Sequence, residues 1–310
     1  TVMAVFGQSD VPEKTIGIAV SRLHRITEIQ KVLLEQVRVL ETMTALDFLD
    51  FRDYLQPASG FQSYQFRIIE IKLGLRPKSK SGQAPKDLSY TRLSPKHQQV
   101  LAQAYRQPSM LDLLEKWLER TPFLNFEGFD FWASYRRAVE NLLRVDRETI
   151  ENNPTLSEGE KERELAEMAK TEASFAALFD EAQHRQLVEQ GKRRISLKAM
   201  QAALLISLYR DEPILHLPFR LITVLVDIDE LFTTWRHRHV LMAHRMIGSK
   251  IGTGGTSGID YLKKAADRNR VFTDLFNLST FLIPRSDLPA LPDAIQKNLG
   301  FYYSEGGKKA

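Results

Sequence analysis

Apolar residues recur along most of this chain at three- and four-residue steps, the spacing of an amphipathic helix. Over residues 16–40 the positions Ile16, Val20, Leu23, Ile26, Leu33, Val37 and Leu40 keep that period. A second helix is predicted over 59–74, closed by Gly74. The polar, proline-broken stretch "RPKSKSGQAPKD" (76–87) reads as a loop. Helices follow over 95–105, over 109–120 with Ser109 as N-cap, and over 129–145. Ser157 and Glu160 stand at capping-box spacing, and the dense alternating charge that runs on to 190 predicts a long exposed helix. Residues 196–210 are apolar on nearly all sides, which predicts a central helix. The longest helical run is 218–248, with Pro218 near its start.

No stretch of useful length alternates with a strand period, and no repeat of fixed period is present. The expectation is an all-α fold: one helical domain over 1–310 with a core of long helices and a helical insert at about 76–195. The tail "NLGFYYSEGGKKA" is expected to be loose at its end.

Composition then removes several chemistries. The chain has 310 residues, 43% of them hydrophobic and 26% charged, enough for a sizeable core. Its net charge of +4 is mild, and bases alternate with acids, so nucleic acid is not demanded as a partner. There is no cysteine, which excludes disulfides, thiolate zinc sites, iron–sulfur clusters and a cysteine nucleophile. A cytoplasmic location fits that composition. No run approaches twenty apolar residues, so no membrane span is expected, and the first residues are too briefly apolar for a signal peptide.

Candidate chemistry concentrates in "WRHRHVLMAHRMIGSKIGTGGTSG" (235–258), which places His237, His239 and His244 within eight residues. Helical phase separates them. His239 falls on the apolar stripe of Leu231, Trp235, Met242 and Met246, whereas His237 and His244 share another face. An inward imidazole has two readings: a core histidine satisfied by its neighbours, or a single axial ligand to haem iron. Zinc fits less well, because the histidines do not share a face. The glycine cluster "IGTGGTSG" (251–258) lacks the preceding strand of a dinucleotide-binding turn and the lysine of a phosphate-binding loop. It is either a loop whose N–H groups and hydroxyls hold an anionic group or a plain link.

A second concentration lies over 41–67, where aromatics and acids precede a "PASG" turn. Arg52 stands between Asp50 and Asp53. It is a surface residue with local ion pairs, or it clamps a carboxylate at a pocket mouth beside Phe48 and Phe51.

The blocks "LETMTALDFLDFRDYLQPASGFQSYQFR", "WRHRHVLMAHRMIGSKIGTGGTSG" and "VFTDLFNLSTFLIPR" together resemble the tryptophan 2,3-dioxygenase family, over roughly residues 16–75 and 195–285 and more weakly between. The resemblance implies an all-α, homotetrameric enzyme carrying haem b. Such an enzyme inserts both atoms of dioxygen across the indole two–three bond of L-tryptophan, giving N-formylkynurenine at the start of the kynurenine route of tryptophan catabolism. It also implies roles. His239 becomes the axial ligand of the haem iron, with Trp235 one turn before it along the haem. Arg52 holds the substrate carboxylate, and Thr253 binds the ammonium or carboxylate of the amino acid. Phe48 is an aromatic substrate contact, and Ser59 lies near both the amino acid and the haem edge. Family members carry, before the first long helix, a segment like "HQxxELWFKQ" that supplies a histidine on the distal side of the haem. This sequence does not contain it, and His24 in "SRLHRI" does not match it. The expectation is that the segment precedes Thr1. Two alternatives accompany this reading: another haem-dependent aromatic oxygenase, and a haem-binding protein without turnover.

Overall fold

The computed structural model describes residues 2–55, 63–76, 93–121, 129–248, 250 and 269–299. Among them the chain is built from helices with no β-strand. In chain order these are α1 (Val2–Phe6), α2 (Glu13–Leu40), α3 (Ala45–Arg52), α4 (Tyr64–Leu73), α5 (Pro95–Arg106), α6 (Met110–Leu118) and α7 (Phe131–Glu151). After them come α8 (Glu158–Phe179), α9 (Glu181–Glu189), α10 (Leu197–Leu208), α11 (His216–Ile247), α12 (Thr273–Phe276) and α13 (Asp293–Leu299). No helix among the described residues is long and apolar enough to cross a membrane. The chain gathers into two compact units, Thr1–Leu114 with Thr223–Phe272, and Glu115–Ile222 with Thr273–Ala310.

Most helix starts are fixed by the caps visible in the sequence. Ser109 Oγ accepts from the Asp112 N–H (3.2 Å), and the Asp112 carboxylate accepts from the Ser109 N–H (2.7 Å). The capping box of Ser157 and Glu160 forms in the same way at the start of α8. Pro95 opens α5 at a position where a missing N–H does no harm.

In the first unit, α4 packs on α5 through Ile71, Leu101, Ala104 and Tyr105, with the Tyr64 ring stacked on His97 at 3.8 Å. Gly74 ends α4 at φ +128°, and a Cβ there would lie 2.8 Å from Leu111 Cβ. Only glycine fits both conditions. Gln30 on α2 donates from Nε2 to the Ile228 carbonyl of α11 (3.0 Å). In α2 the buried face is Ile16, Ala19, Val20, Leu23, Thr27, Gln30 and Val37. Ile26, Leu33 and Leu40, which share the apolar period with these, are instead exposed, together with Ile18, Ile29, Val32 and Val39. The helix therefore carries two apolar faces, one covered and one open.

In the second unit the central helix is α10, whose residues Ala202, Ala203, Leu204 and Ile206 are wholly buried. Each buried large aliphatic contributes about 1.5–3 kcal/mol relative to exposure. Two phenols are anchored in this unit: Tyr135 donates to the Phe281 carbonyl, and Tyr209 to the Pro289 carbonyl. The Asp274 carboxylate accepts from the N–H groups of Arg194 and Ile195 at 2.6 and 3.0 Å.

The long charged helix expected up to 190 is two helices. Asp180 interrupts it, its Oδ1 accepting from the N–H groups of Ala182 and Gln183 and so capping α9. The surrounding segment is also less exposed than its charge suggests, since Met168, Phe175, Leu178 and His184 are buried.

Candidate functional site

Helix α11 presents the candidate ligand. Trp235 and His239 are four residues apart, one helical turn, and their side chains rise on the same face. The two rings are parallel and offset, with centroids 5.4 Å apart and planes 6° apart. Phe66 of α4 packs against Trp235 at 5.4 Å and meets Phe232 edge-on at 6.1 Å. His239 is half-buried in this aromatic setting. Burial disfavours its charged form and holds its pKa below the usual histidine value. The ring is therefore neutral at neutral pH, with a lone pair on one nitrogen to give to a metal.

His237 and His244 are exposed, in agreement with their different helical phase. Among the described residues no three His, Asp or Glu side chains converge as a metal-ligand set. Among the described residues, His239 is therefore not part of a three-residue metal-ligand set. A neutral imidazole beside the Trp235 ring fits a residue that could hold haem iron.

Phe48 and Arg52 lie one turn apart on α3, in the same unit as His239. The helix starts at a capping box in which Thr44 and Asp47 exchange hydrogen bonds. Phe48 and Phe51 meet edge-on at 5.4 Å. Both Phe48 and Arg52 are half-buried, whereas Asp50 and Asp53 are exposed. Arg52 occupies the last turn of the helix, where its charge complements the carbonyl end. Ser59 and Thr253 fall outside the described residues.

Sequence reasoning singled out His239 and Trp235 and missed what surrounds them. Glu70 of α4 and Arg236 of α11 form a buried ion pair at 3.0 Å, and Arg67 also reaches Glu70 at 2.7 Å. Arg236 donates a second hydrogen bond to the Asn269 carbonyl (2.7 Å). Two turns earlier on α11, the Asp229 carboxylate accepts from the N–H groups of Val271 and Phe272, each at 2.9 Å. These side chains tie α4 and the segment 269–272 to the helix that carries His239. The one signal in the sequence was position: Glu70 stands a turn after Phe66, and Arg236 directly after Trp235.

Comparison with known proteins gives the same direction over nearly the whole chain. The family model described as tryptophan 2,3-dioxygenase matches residues 1–282. The tryptophan 2,3-dioxygenase of Bdellovibrio bacteriovorus is 52% identical over 305 residues, covering 98% of this chain and 84% of its own length. That of Dictyostelium discoideum is 45% identical, covering 98% of this chain and 76% of its own length. That of Alteromonas mediterranea is 46% identical, covering 97% and 83%. With a match of this extent, and with a neutral His239 stacked on Trp235 where the family resemblance expects it, the chain belongs to the tryptophan 2,3-dioxygenase family.

Proposed function

We propose that this chain is a haem-dependent tryptophan 2,3-dioxygenase. It inserts dioxygen into the indole ring of L-tryptophan and gives N-formylkynurenine, the first step of tryptophan breakdown. The observation that carries the reading is the half-buried, neutral His239 stacked on Trp235 in a chain that matches the family over residues 1–282.

Haem, when bound, supplies the activation of dioxygen. The protein's share is holding and positioning. His239 would hold the iron through the neutral imidazole that burial maintains, with Trp235 stacked beside that imidazole. Arg52 pairs with the carboxylate of tryptophan, where a guanidinium offers two parallel N–H groups. Thr253 would bind the charged end of the same amino acid, Phe48 would contact its aromatic part, and Ser59 would serve the amino acid and the haem. Together these contacts fix the indole in one pose and select for an aromatic amino acid with a free carboxylate.

The proposal includes a cytoplasmic, homotetrameric enzyme. Self-association is supported by the open apolar face of α2, where Ile18, Ile29, Val32, Leu33 and Leu40 stand in one stripe.

The test is the product. Haem-loaded, reduced protein is given L-tryptophan and dioxygen, and the product is identified by mass. Two added oxygen atoms with an opened ring support the proposal. One added oxygen with the ring retained assigns a different aromatic oxygenase, and haem uptake without any product assigns a haem-binding protein.

A further inference from the structure

Glu70 and Arg236 have no part in the roles above, yet their side chains are each only 8% exposed and pair at 3.0 Å. Removing two opposite charges from water is expensive, and an apolar pair of similar volume often serves stability as well. What a buried pair adds is direction. Apolar contact is non-directional, and the faces of Phe66, Phe232 and Trp235 would tolerate sliding. The ion pair would not, because each of its hydrogen bonds has a fixed geometry.

The network extends on both sides of the pair. Glu70 Oε1 accepts from Arg236 Nη2 at 3.0 Å, and Glu70 Oε2 accepts from Arg67 Nη1 at 2.7 Å. Arg236 Nη1 donates to the Asn269 carbonyl at 2.7 Å. The Arg236 guanidinium also lies 5.9 Å from the Phe66 ring centre and 5.7 Å from that of Phe232. A shift of α4 along α11 by a single residue, about 1.5 Å, would break the pair. Phe66 stands one turn before Glu70, so the same shift would take it off Trp235. Trp235 is the ring on which His239 lies.

We propose that Glu70 is a positioning residue: through Arg236 it sets the register of α4 on α11, so that Phe66 backs Trp235 and Trp235 holds the His239 ring in one orientation. The inference deepens the reading of His239 as the haem ligand and rests on it. Groups that orient a ligand from behind commonly change metal affinity by about 10–100-fold when altered.

The test separates the two readings. The full chain carries Trp117→Phe and Trp132→Phe, which leaves Trp235 as its only indole. Near-ultraviolet circular dichroism of the haem-free protein then reports how firmly that indole is packed. Glu70→Gln keeps the shape and removes the charge. It is expected to keep the far-ultraviolet helix signal, lose most of the Trp235 near-ultraviolet band, and bind haem at least about tenfold more weakly. Glu70→Asp, which keeps the carboxylate, is expected to recover part of both. An unchanged near-ultraviolet band in Glu70→Gln overturns the proposal, whatever haem does. Failure of the parent chain to take up haem overturns the ligand reading instead, and the near-ultraviolet comparison still decides whether Glu70 sets the packing of Trp235. If Glu70→Gln does not fold, Arg236→Lys decides the point. Lysine keeps the charge but lacks the fork that reaches Glu70 and Asn269 together. Loss of the band in that variant supports the proposal, and an unchanged band overturns it.

Discussion

The imidazole of His239 lies parallel to the indole of Trp235, with ring centroids 5.4 Å apart. The arrangement follows from four-residue spacing on one helix, and it needs no third element to bring the rings together. It places the titratable ring against an apolar surface, and that surface sets its charge.

A pH dependence follows from this burial. The folded-state pKa of His239 lies below the unfolded value near 6.5 because the charged form is desolvated. As pH falls, the unfolded chain takes up this proton first. The residue's contribution to stability is therefore whole above the unfolded pKa and is lost as pH falls through the folded one. Haem retention is expected to weaken at still lower pH, since a protonated imidazole has no lone pair for iron and bound iron competes with the proton. Urea midpoints of the haem-free chain and of His239→Gln are expected to converge as the pH falls below the unfolded histidine value of about 6.5. A constant difference across that range contradicts the assignment of cause.

Arg52→Ala is expected to raise the tryptophan requirement. Loss of a charge-assisted pair with a carboxylate costs about 1.5–3 kcal/mol, which is on the order of 10- to 100-fold in kcat/KM. Haem uptake, which the proposal assigns to His239 on another helix, is expected to stay unchanged. Unaltered kinetics would make Arg52 a surface residue with no part in substrate binding.

The helices were legible because their apolar period is long and regular, and because Ser109 and the Ser157–Glu160 pair mark two of their starts. The break at Asp180 was not legible, since no glycine or proline interrupts the helix-forming residues there and only the aspartate's own cap marks the new start. Helix α3 was also unassigned from its period, being eight residues long, although Thr44 and Asp47 announce it as a capping box. In α2 the period was correct and the burial was not: Leu33 and Leu40 belong to the open face. At the site, His239 was readable because one helix determines its face. The Glu70–Arg236 pair was not, because its members are 166 residues apart and no local rule joins them.

Gly74→Ala is expected to destabilise the chain by about 1–3 kcal/mol, from strained backbone alone. The φ of +128° is unfavourable for alanine, and the new Cβ would meet Leu111 Cβ at 2.8 Å. The contact is between two side-chain stems that cannot turn away. A thermal midpoint equal to that of the parent would show that the turn rearranges freely.

Ile29→Asp addresses assembly. Ile29 is 55% exposed on α2 and makes no part of that helix's buried face, so the variant is expected to fold with unchanged helix content. A charge in the middle of an association surface is expected to shift sedimentation toward smaller species. An unchanged mass in solution would show that this face takes no part in the assembly.

The most direct measurement of the central claim is the haem spectrum of His239→Ala beside that of the parent chain, both refolded or expressed with haem supplied. The parent is expected to show a strong Soret band, and the variant, which removes the one half-buried imidazole stacked on Trp235, is expected to lose it. A normal Soret band in His239→Ala would contradict the assignment of His239 as the ligand of the haem iron.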